Sequence, residues 1–219
     1  MIVVLYTYIS ESSHNRLLEK LSFFSDRFQQ KVLKYRKWED AQLSLLGRLL
    51  LKEGLENYFN SDYIDSDVEY MQYAKPYFKS KKYHFNISHS GNIAVCAISE
   101  KKDIGIDIEM IKSIDVEHFK NQMTNYELNK IEEGVKMNLE RFYSYWTEKE
   151  AVIKSNSRGL HIPLKSFEIK SNKTTIDNEV YYVKELKIDS DYKCNIAFKK
   201  KDKCCSEHND TYKLIHFKF

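Results

Sequence analysis

The chain opens on an apolar stretch, Ile2-Val3-Val4-Leu5-Tyr6-Thr7-Tyr8-Ile9, that reads as a first β-strand. Polar and apolar residues then recur at helical period through about Lys37. Trp38-Glu39-Asp40-Ala41 opens a stronger helix, whose Leu43, Leu46, Leu50 and Tyr58 form a core stripe thickened by Leu45, Leu49 and Leu55. Strand-like runs follow at Asp67–Gln72, Tyr83–Ser88 and Asn92–Ser99, the last two separated by a Ser90-Gly91 turn signal. Glu100-Lys101-Lys102-Asp103 is the predicted junction. Beyond it the order repeats in outline: a strand at Gly105–Glu109, helices from about Val116 to Lys154, then strands near Phe167–Ser171, Val180–Ile188, Lys193–Lys199 and Tyr212–Phe217. The pattern predicts an α+β chain of two mixed halves, 1–102 and 103–219.

Composition agrees with a folded chain. Hydrophobic residues make up 42% and charged residues 31% of 219, and only 6 Gly and 2 Pro interrupt a sequence with 16 Tyr and 12 Phe, which argues against disorder. The start lacks a basic segment and a small-residue cleavage site, and no apolar run approaches the roughly 20 residues that span a bilayer, so a cytoplasmic protein is expected. Cys96, Cys194, Cys204 and Cys205 are too few and too irregular for a disulfide framework. Cys204-Cys205-Ser206-Glu207-His208 lacks a matching second ligand pair and reads as a polar loop. The net charge of +3 is modest, but Arg27, Lys31, Lys34, Arg36 and Lys37 occur with no acid among them, as do Lys75, Lys79, Lys81 and Lys82. Such clusters suit a polyanion without making the chain a nucleic-acid binder.

Two acidic segments carry the candidate chemistry. In Gly105-Ile106-Asp107-Ile108-Glu109 the alternation predicts a strand, which sets Asp107 and Glu109 on one face, roughly 6–7 Å apart. Trp146-Thr147-Glu148-Lys149-Glu150-Ala151-Val152-Ile153-Lys154 predicts a helix with Trp146, Glu150 and Lys154 on one stripe. Adjacent carboxylates lower their energy by sharing a hard cation, and Glu150 could complete its ligands while Lys154 holds a phosphate oxygen. Taken singly, each motif has an ordinary reading as a solvated strand face or a surface Glu-Lys pair.

Asn86-Ile87-Ser88-His89-Ser90-Gly91, Gly105–Glu109 and Trp146–Lys154, in this order and spacing, resemble the 4′-phosphopantetheinyl transferases of the surfactin-synthetase-activating type. Trp38-Glu39-Asp40-Ala41, Ala74-Lys75-Pro76 and Gly159-Leu160-His161-Ile162-Pro163-Leu164 also look like landmarks of that family, and only the last twenty or so residues carry no match. The resemblance implies a pseudo-dimer of two similar α/β halves, each a small, mostly antiparallel sheet packed by helices, with the active site in the cleft between them. It implies transfer of the phosphopantetheine arm of coenzyme A to a serine of an apo acyl or peptidyl carrier protein, releasing adenosine 3′,5′-bisphosphate. Asp107, Glu109 and Glu150 correspond to ligands of Mg²⁺, with Mn²⁺ as the alternative, and Lys154 to a pyrophosphate contact. Two candidates stand for the base, Glu150 acting directly and Glu127 acting through a metal-bound water.

On the nucleotide side the resemblance places Lys75 and Pro76 against the adenine and ribose, and Ser88 and His89 on phosphate, His89 on the 3′-phosphate. Lys31 falls where the family has a phosphate-binding cation; its other basic position is Phe28 here, leaving Arg27, Lys34 or Arg48 as substitutes. Carrier docking falls by family position on Met110–Met123 and the segment after Lys154, although Phe119 and Met123 are equally good as core. A monomer is expected, with no membrane or nucleic-acid partner. Two other readings compete: a non-catalytic RNA or polyanion module using the basic, aromatic first half, and a metal-dependent phosphodiesterase acting on coenzyme A.

Overall fold

In the computed structural model, which describes residues 1–70, 75–132, 138–156, 162–199 and 212–219, the apolar opening is strand β1 (Ile2–Tyr8). Two short helices, α1 (His14–Glu19) and α2 (Asp26–Leu33), lead to α3 (Trp38–Tyr58), the predicted long helix. A two-stranded ribbon, β2 (Val68–Tyr70) and β3 (Pro76–Phe78), precedes the hairpin of β4 (His84–Ser90) and β5 (Ile93–Ser99). β5 is buried along its whole length: β1 and β4 cover its two edges, and α3 packs against it. This is what its uninterrupted run Ile93-Ala94-Val95-Cys96-Ala97-Ile98 requires, since alternation disappears where both faces are covered. α3 lies along this sheet and buries Leu45, Leu46, Leu49, Leu50, Leu51 and Leu55 in one core with Val3, Leu5, Phe85 and Ile98.

The second unit starts at Lys102. Strand β6 (Ile104–Met110) is followed by a 3₁₀ segment at Val116–Gln122, then α4 (Asn125–Ile131) and α5 (Leu139–Ser155). Strands β7 (Lys173–Ile176), β8 (Glu179–Glu185) and β9 (Tyr192–Lys199) complete an antiparallel sheet ordered β6-β9-β8-β7. Phe167–Ser171 is not the strand its pattern predicts. Ser171 and Asn172 take φ of 50° and 61°, so only Lys170 bridges to Lys173 and regular pairing starts after the turn. The last strand, β10 (Tyr212–His216), departs from a division of the chain by sequence alone: it pairs in parallel with β1, Ile2 opposite Tyr212, and so completes the first sheet as β10-β1-β5-β4. Each unit is thus a long helix on a small, mostly antiparallel sheet, the two similar α/β halves of an α+β fold.

Both long helices sit unusually close to their strands, and glycine permits it. A Cβ on Gly54 of α3 would lie 2.4 Å from Ile98 Cδ1 and 2.9 Å from Leu5 Cδ1, both flexible side-chain ends. A Cβ on Gly105 of β6 would lie 2.1 Å from the Ala151 carbonyl oxygen and 2.4 Å from the Ser155 amide nitrogen, both on the backbone of α5. Side-chain tips can rotate away; a helix backbone can only shift as a body.

A buried ion pair ties α4 to α5. Lys149 Nζ lies 2.9 Å from Glu127 Oε2 and donates to the carbonyl oxygens of Leu164 and Phe167, each at 2.7 Å. The three ammonium protons therefore have three acceptors. Glu127 also accepts from the Thr124 amide at 2.9 Å, half of a capping box that starts α4. Burial pulls the Lys149 pKa down and the Glu127 carboxylate opposes that shift.

Two stability predictions result. Gly105→Ala should cost about 3 kcal/mol or more, and Gly54→Ala clearly less, because only the former meets backbone; equal losses of unfolding free energy in urea would contradict this. Glu127→Ala strands a buried ammonium and should cost about 3–5 kcal/mol in the same assay, whereas a loss below about 1 kcal/mol, the range of exposed pairs, would show that the pair is dispensable.

Candidate active site

β6 and α5 bring together the residues that the sequence set on one strand face and one helix stripe. Asp107 is 3% exposed, and Lys154 Nζ donates to its Oδ1 at 2.5 Å. Glu150, one helical turn before Lys154, is partly buried. Its pKa is raised by burial; the Lys154 ammonium opposes the shift, and the Asp107 and Glu109 carboxylates add to it. These groups therefore form one electrostatic cluster of three acids and one cation. Among the described residues no three His, Cys, Asp or Glu side chains are closed into a preformed metal cluster. The donor set nevertheless fits a hard divalent cation, since its donors are all carboxylate oxygens whose mutual repulsion a cation would relieve.

The rest of the α5 motif is committed elsewhere. Thr147 donates to the Tyr143 carbonyl at 2.8 Å and accepts from Asn195 Nδ2 of β9 at 2.8 Å. Trp146 packs edge-on to Phe119 at 5.2 Å and near-parallel to Phe142 at 6.0 Å. Met123 is fully buried, so the sequence ambiguity over Phe119 and Met123 falls toward core packing. Glu127 reaches Lys149 and Thr124, and its side chain is 2% exposed. Sequence reasoning missed the role of Lys149, since its acceptors lie 15 and 18 residues farther along the chain and no local spacing reveals them.

The first unit spreads its predicted residues more widely. Ser88 and His89 are neighbours on β4 and so project to opposite faces, Ser88 buried and His89 exposed. Lys75 immediately precedes β3, which Pro76 opens; Ala74 lies outside the described residues, as do 157–161 and 200–211, with Gly159, Leu160, His161, Cys204 and Cys205. Lys31 is exposed on α2 and Phe28 is buried on its inner face.

Arg48 is 4% exposed, with its guanidinium 4.9 Å from the Phe28 ring centroid. Its Nη2 donates to the Tyr70 hydroxyl at 2.9 Å and its Nε lies 3.8 Å from Asp65 Oδ1. Burial of Asp65 opposes ionisation, but hydrogen bonds from the Ser25 side chain, Tyr63 and the Ser25 backbone, with the Arg48 charge, hold its carboxyl below the usual range. A cation inside the leucine-rich stretch Leu43–Leu51 was the available signal that Arg48 is internal.

Comparison with known proteins gives this arrangement its context. Residues 11–101 match the family described as 4′-phosphopantetheinyl transferase, N-terminal, and residues 103–206 match the 4′-phosphopantetheinyl transferase superfamily. The chain is 34% identical to 4′-phosphopantetheinyl transferase gsp of Aneurinibacillus migulanus over 187 residues, 81% of this chain and 74% of that one. It is 29% identical over 211 residues to 4′-phosphopantetheinyl transferase Sfp of Bacillus subtilis (strain 168), covering 92% and 89% of the two chains. Because both halves match in order and the likeness spans most of each relative, this chain belongs to the Sfp-like 4′-phosphopantetheinyl transferases.

Proposed function

We propose that the chain transfers the 4′-phosphopantetheine arm of coenzyme A to a serine hydroxyl of an apo acyl or peptidyl carrier protein. The observation that carries this reading is the Asp107, Glu109, Glu150 and Lys154 cluster, held at a close β6–α5 contact within a chain of this family. The serine oxygen forms a bond to the phosphorus that bears the pantetheine arm. The bond from that phosphorus to the bridging oxygen breaks, and adenosine 3′,5′-bisphosphate leaves with the electron pair.

Asp107, Glu109 and Glu150 would hold Mg²⁺, or Mn²⁺ in its place. The bound cation supplies charge neutralisation for the pyrophosphate. Lys154, now on Asp107, would hold a pyrophosphate oxygen with a charge-assisted hydrogen bond. For the serine proton, Glu150 is the better of the two candidates, because it is only partly buried and is not closed into an ion pair with Lys149. Glu127 is closed off by Lys149 and Thr124 and serves to position α5.

On the donor's nucleotide side, Lys75 and Pro76 are assigned to adenine and ribose, and Lys31, Ser88 and His89 to phosphate. Because Ser88 is buried and His89 exposed, His89 is the one of the two that reaches a ligand in the open. The reading includes a monomer in the cytoplasm. Cys96 and Cys194 are free thiols, which suits a reducing compartment, and among the described residues no helix is long and apolar enough to cross a membrane.

Apo carrier proteins incubated with the enzyme, coenzyme A and Mg²⁺ should gain the mass of one phosphopantetheine by mass spectrometry. Absence of that gain across a panel of acyl and peptidyl carriers would overturn the reading, and hydrolysis of coenzyme A without acceptor would replace it. Lys154→Ala should lower kcat by about 10²–10³-fold, the range seen when a charge-stabilising donor is removed, with an unchanged circular dichroism spectrum; unaltered kcat would take Lys154 out of the site.

Metal binding should show in stability as well as in activity. With its pKa raised in the folded state, Glu150 stabilises the fold at low pH in its neutral form, and this contribution is lost as pH rises through that pKa. Cation binding needs the ionised form, so the rise in Tm produced by Mg²⁺ should fade on acidification at a higher pH than for an ordinary glutamate. A Tm rise that is independent of pH, or that is intact in Glu150→Gln, would exclude Glu150 as a ligand.

A further inference from the structure

Helix α5 lies on a smooth part of its sheet. Gly105 of β6 and Ala197 of β9 are register partners, the Ala151 backbone crosses close over Gly105, and Ala151 shares a core with Ala197. Contacts between such small groups are close but have no direction, so they hold the helix down without fixing how it is turned. One helical turn before Ala151 stands Thr147, and two residues along the sheet from the Gly105–Ala197 pair stand Asp107 and its register partner Asn195. The two steps match, since four residues of helix and two of strand each cover about 6–7 Å. Thr147 therefore meets the Asp107–Asn195 row as Ala151 meets Gly105.

In that row Asn195 donates from Nδ2 to Thr147 Oγ1 at 2.8 Å, and the Thr147 hydroxyl donates in turn to the Tyr143 carbonyl at 2.8 Å. Both side chains are buried, Asn195 at 1% and Thr147 at 0% exposure. An amide in such a place costs free energy unless it is bonded, and its bond, unlike the apolar contacts, depends on direction. It is also neutral: Asn195 stands between Asp107 of β6 and Glu185 of β8 in the sheet, so it reaches α5 without adding a third carboxylate to the row. A second polar link from β9, Lys193 to Glu140 at 3.6 Å, is long and open to solvent at Glu140, and fixes little. Thr147, Glu150 and Lys154 fall at i, i+3 and i+7 and share one side of α5. A rotation fixed at Thr147 is thus fixed for the other two.

We infer that Asn195 is a positioning residue for the divalent cation, a step that rests on the reading of Asp107, Glu109 and Glu150 as its holders. Acting through Thr147, Asn195 sets the rotation of α5 at which the Glu150 carboxylate comes to the strand that carries Asp107 and Glu109. Gly105 decides how near the helix lies, and Asn195 decides which way it faces. Groups outside the ligand set that orient the ligands are part of a metal site's affinity, and here that part is carried by one amide-to-hydroxyl bond between β9 and α5.

Calorimetric titration of the whole chain with Mg²⁺, without coenzyme A or carrier, tests this directly. Asn195→Leu, which keeps the volume and removes the amide, should weaken Mg²⁺ by about threefold to tenfold, the equivalent of one hydrogen bond. Thr147→Val should do the same from the helix side, and the double variant should lose no more than either single one, because both remove the same contact. Thr147→Ser keeps the hydroxyl and should bind Mg²⁺ as the parent does. Where Asn195→Leu does not fold, Asn195→Ala and Thr147→Val carry the same measurement. A lowered Tm with Mg²⁺ affinity unchanged would make the bond merely structural and overturn the assignment, as would additive losses in the double variant. Those results leave the metal reading standing; a parent chain that binds no Mg²⁺ removes that reading and this inference with it.

Discussion

The close contact of β6 with α5 at Gly105 is the constraint on which the candidate site depends. With the Ala151 carbonyl and the Ser155 amide 2.1 and 2.4 Å from where a Cβ would stand, any side chain at 105 would push the helix off the strand. From that contact the rest follows by two periods. Asp107 and Glu109 are two and four residues along the strand, on the face of Gly105 that meets the helix. Glu150 and Lys154 flank Ala151 on the helix, one turn apart. A glycine that carries no chemistry thus decides whether three acids and a lysine meet.

The same helix presents two charge clusters with opposite characters. Around Lys149 every proton has an acceptor and both partners are shielded from solvent, so the pair is closed to further ligands. Around Lys154 the balance is uneven: one ammonium, 29% exposed, stands against three carboxylates, and the excess negative charge adds to the raised pKa of Glu150. A charge-balanced pair holds geometry, and a cluster with an excess of one sign attracts the other. Positions 149 and 150 differ by about 100° around the helix, which is enough to place one cluster in the core and the other at a site.

Much of this is legible in sequence because it is local. The β6 alternation and the i, i+4 spacing of Glu150 and Lys154 need no knowledge of distant residues, and the structure sets both as the pattern implies. Phe167–Ser171 departs from its pattern for an instructive reason. Phe167 is buried and Ile169 packs on the same core, so the alternation correctly signals burial, yet the left-handed Ser171 and Asn172 prevent the segment from entering the sheet. Alternation reports a covered face, not a hydrogen-bonded ladder. The parallel pairing of β10 with β1 joins the two ends of the chain, and no local signal encodes it. By sequence Arg48 suits a phosphate as well as its neighbours do, and nothing local shows that it packs against Phe28 with Tyr70 and Asp65 beside it.

Burial is also what sorts the cations of this protein into two kinds, by the same device in both units. Each long helix carries one buried cation, Arg48 on α3 and Lys149 on α5, and each meets an acid from a later or earlier segment, Asp65 or Glu127. Each is further held by neutral oxygen acceptors and lies over a phenylalanine ring, Phe28 or Phe167, at 4.9 Å. A charge desolvated to this degree is stable only if its partner is built into the fold; Lys149 has an acceptor for each of its three protons, whereas Arg48 keeps one buried nitrogen, Nη1, without a hydrogen-bond partner. The partly exposed Lys154 and the exposed Lys31 are under no such requirement. Lys154 has a built-in acid in Asp107 but stays partly open to water, and Lys31 is exposed, so water offsets part of the cost of leaving both charged.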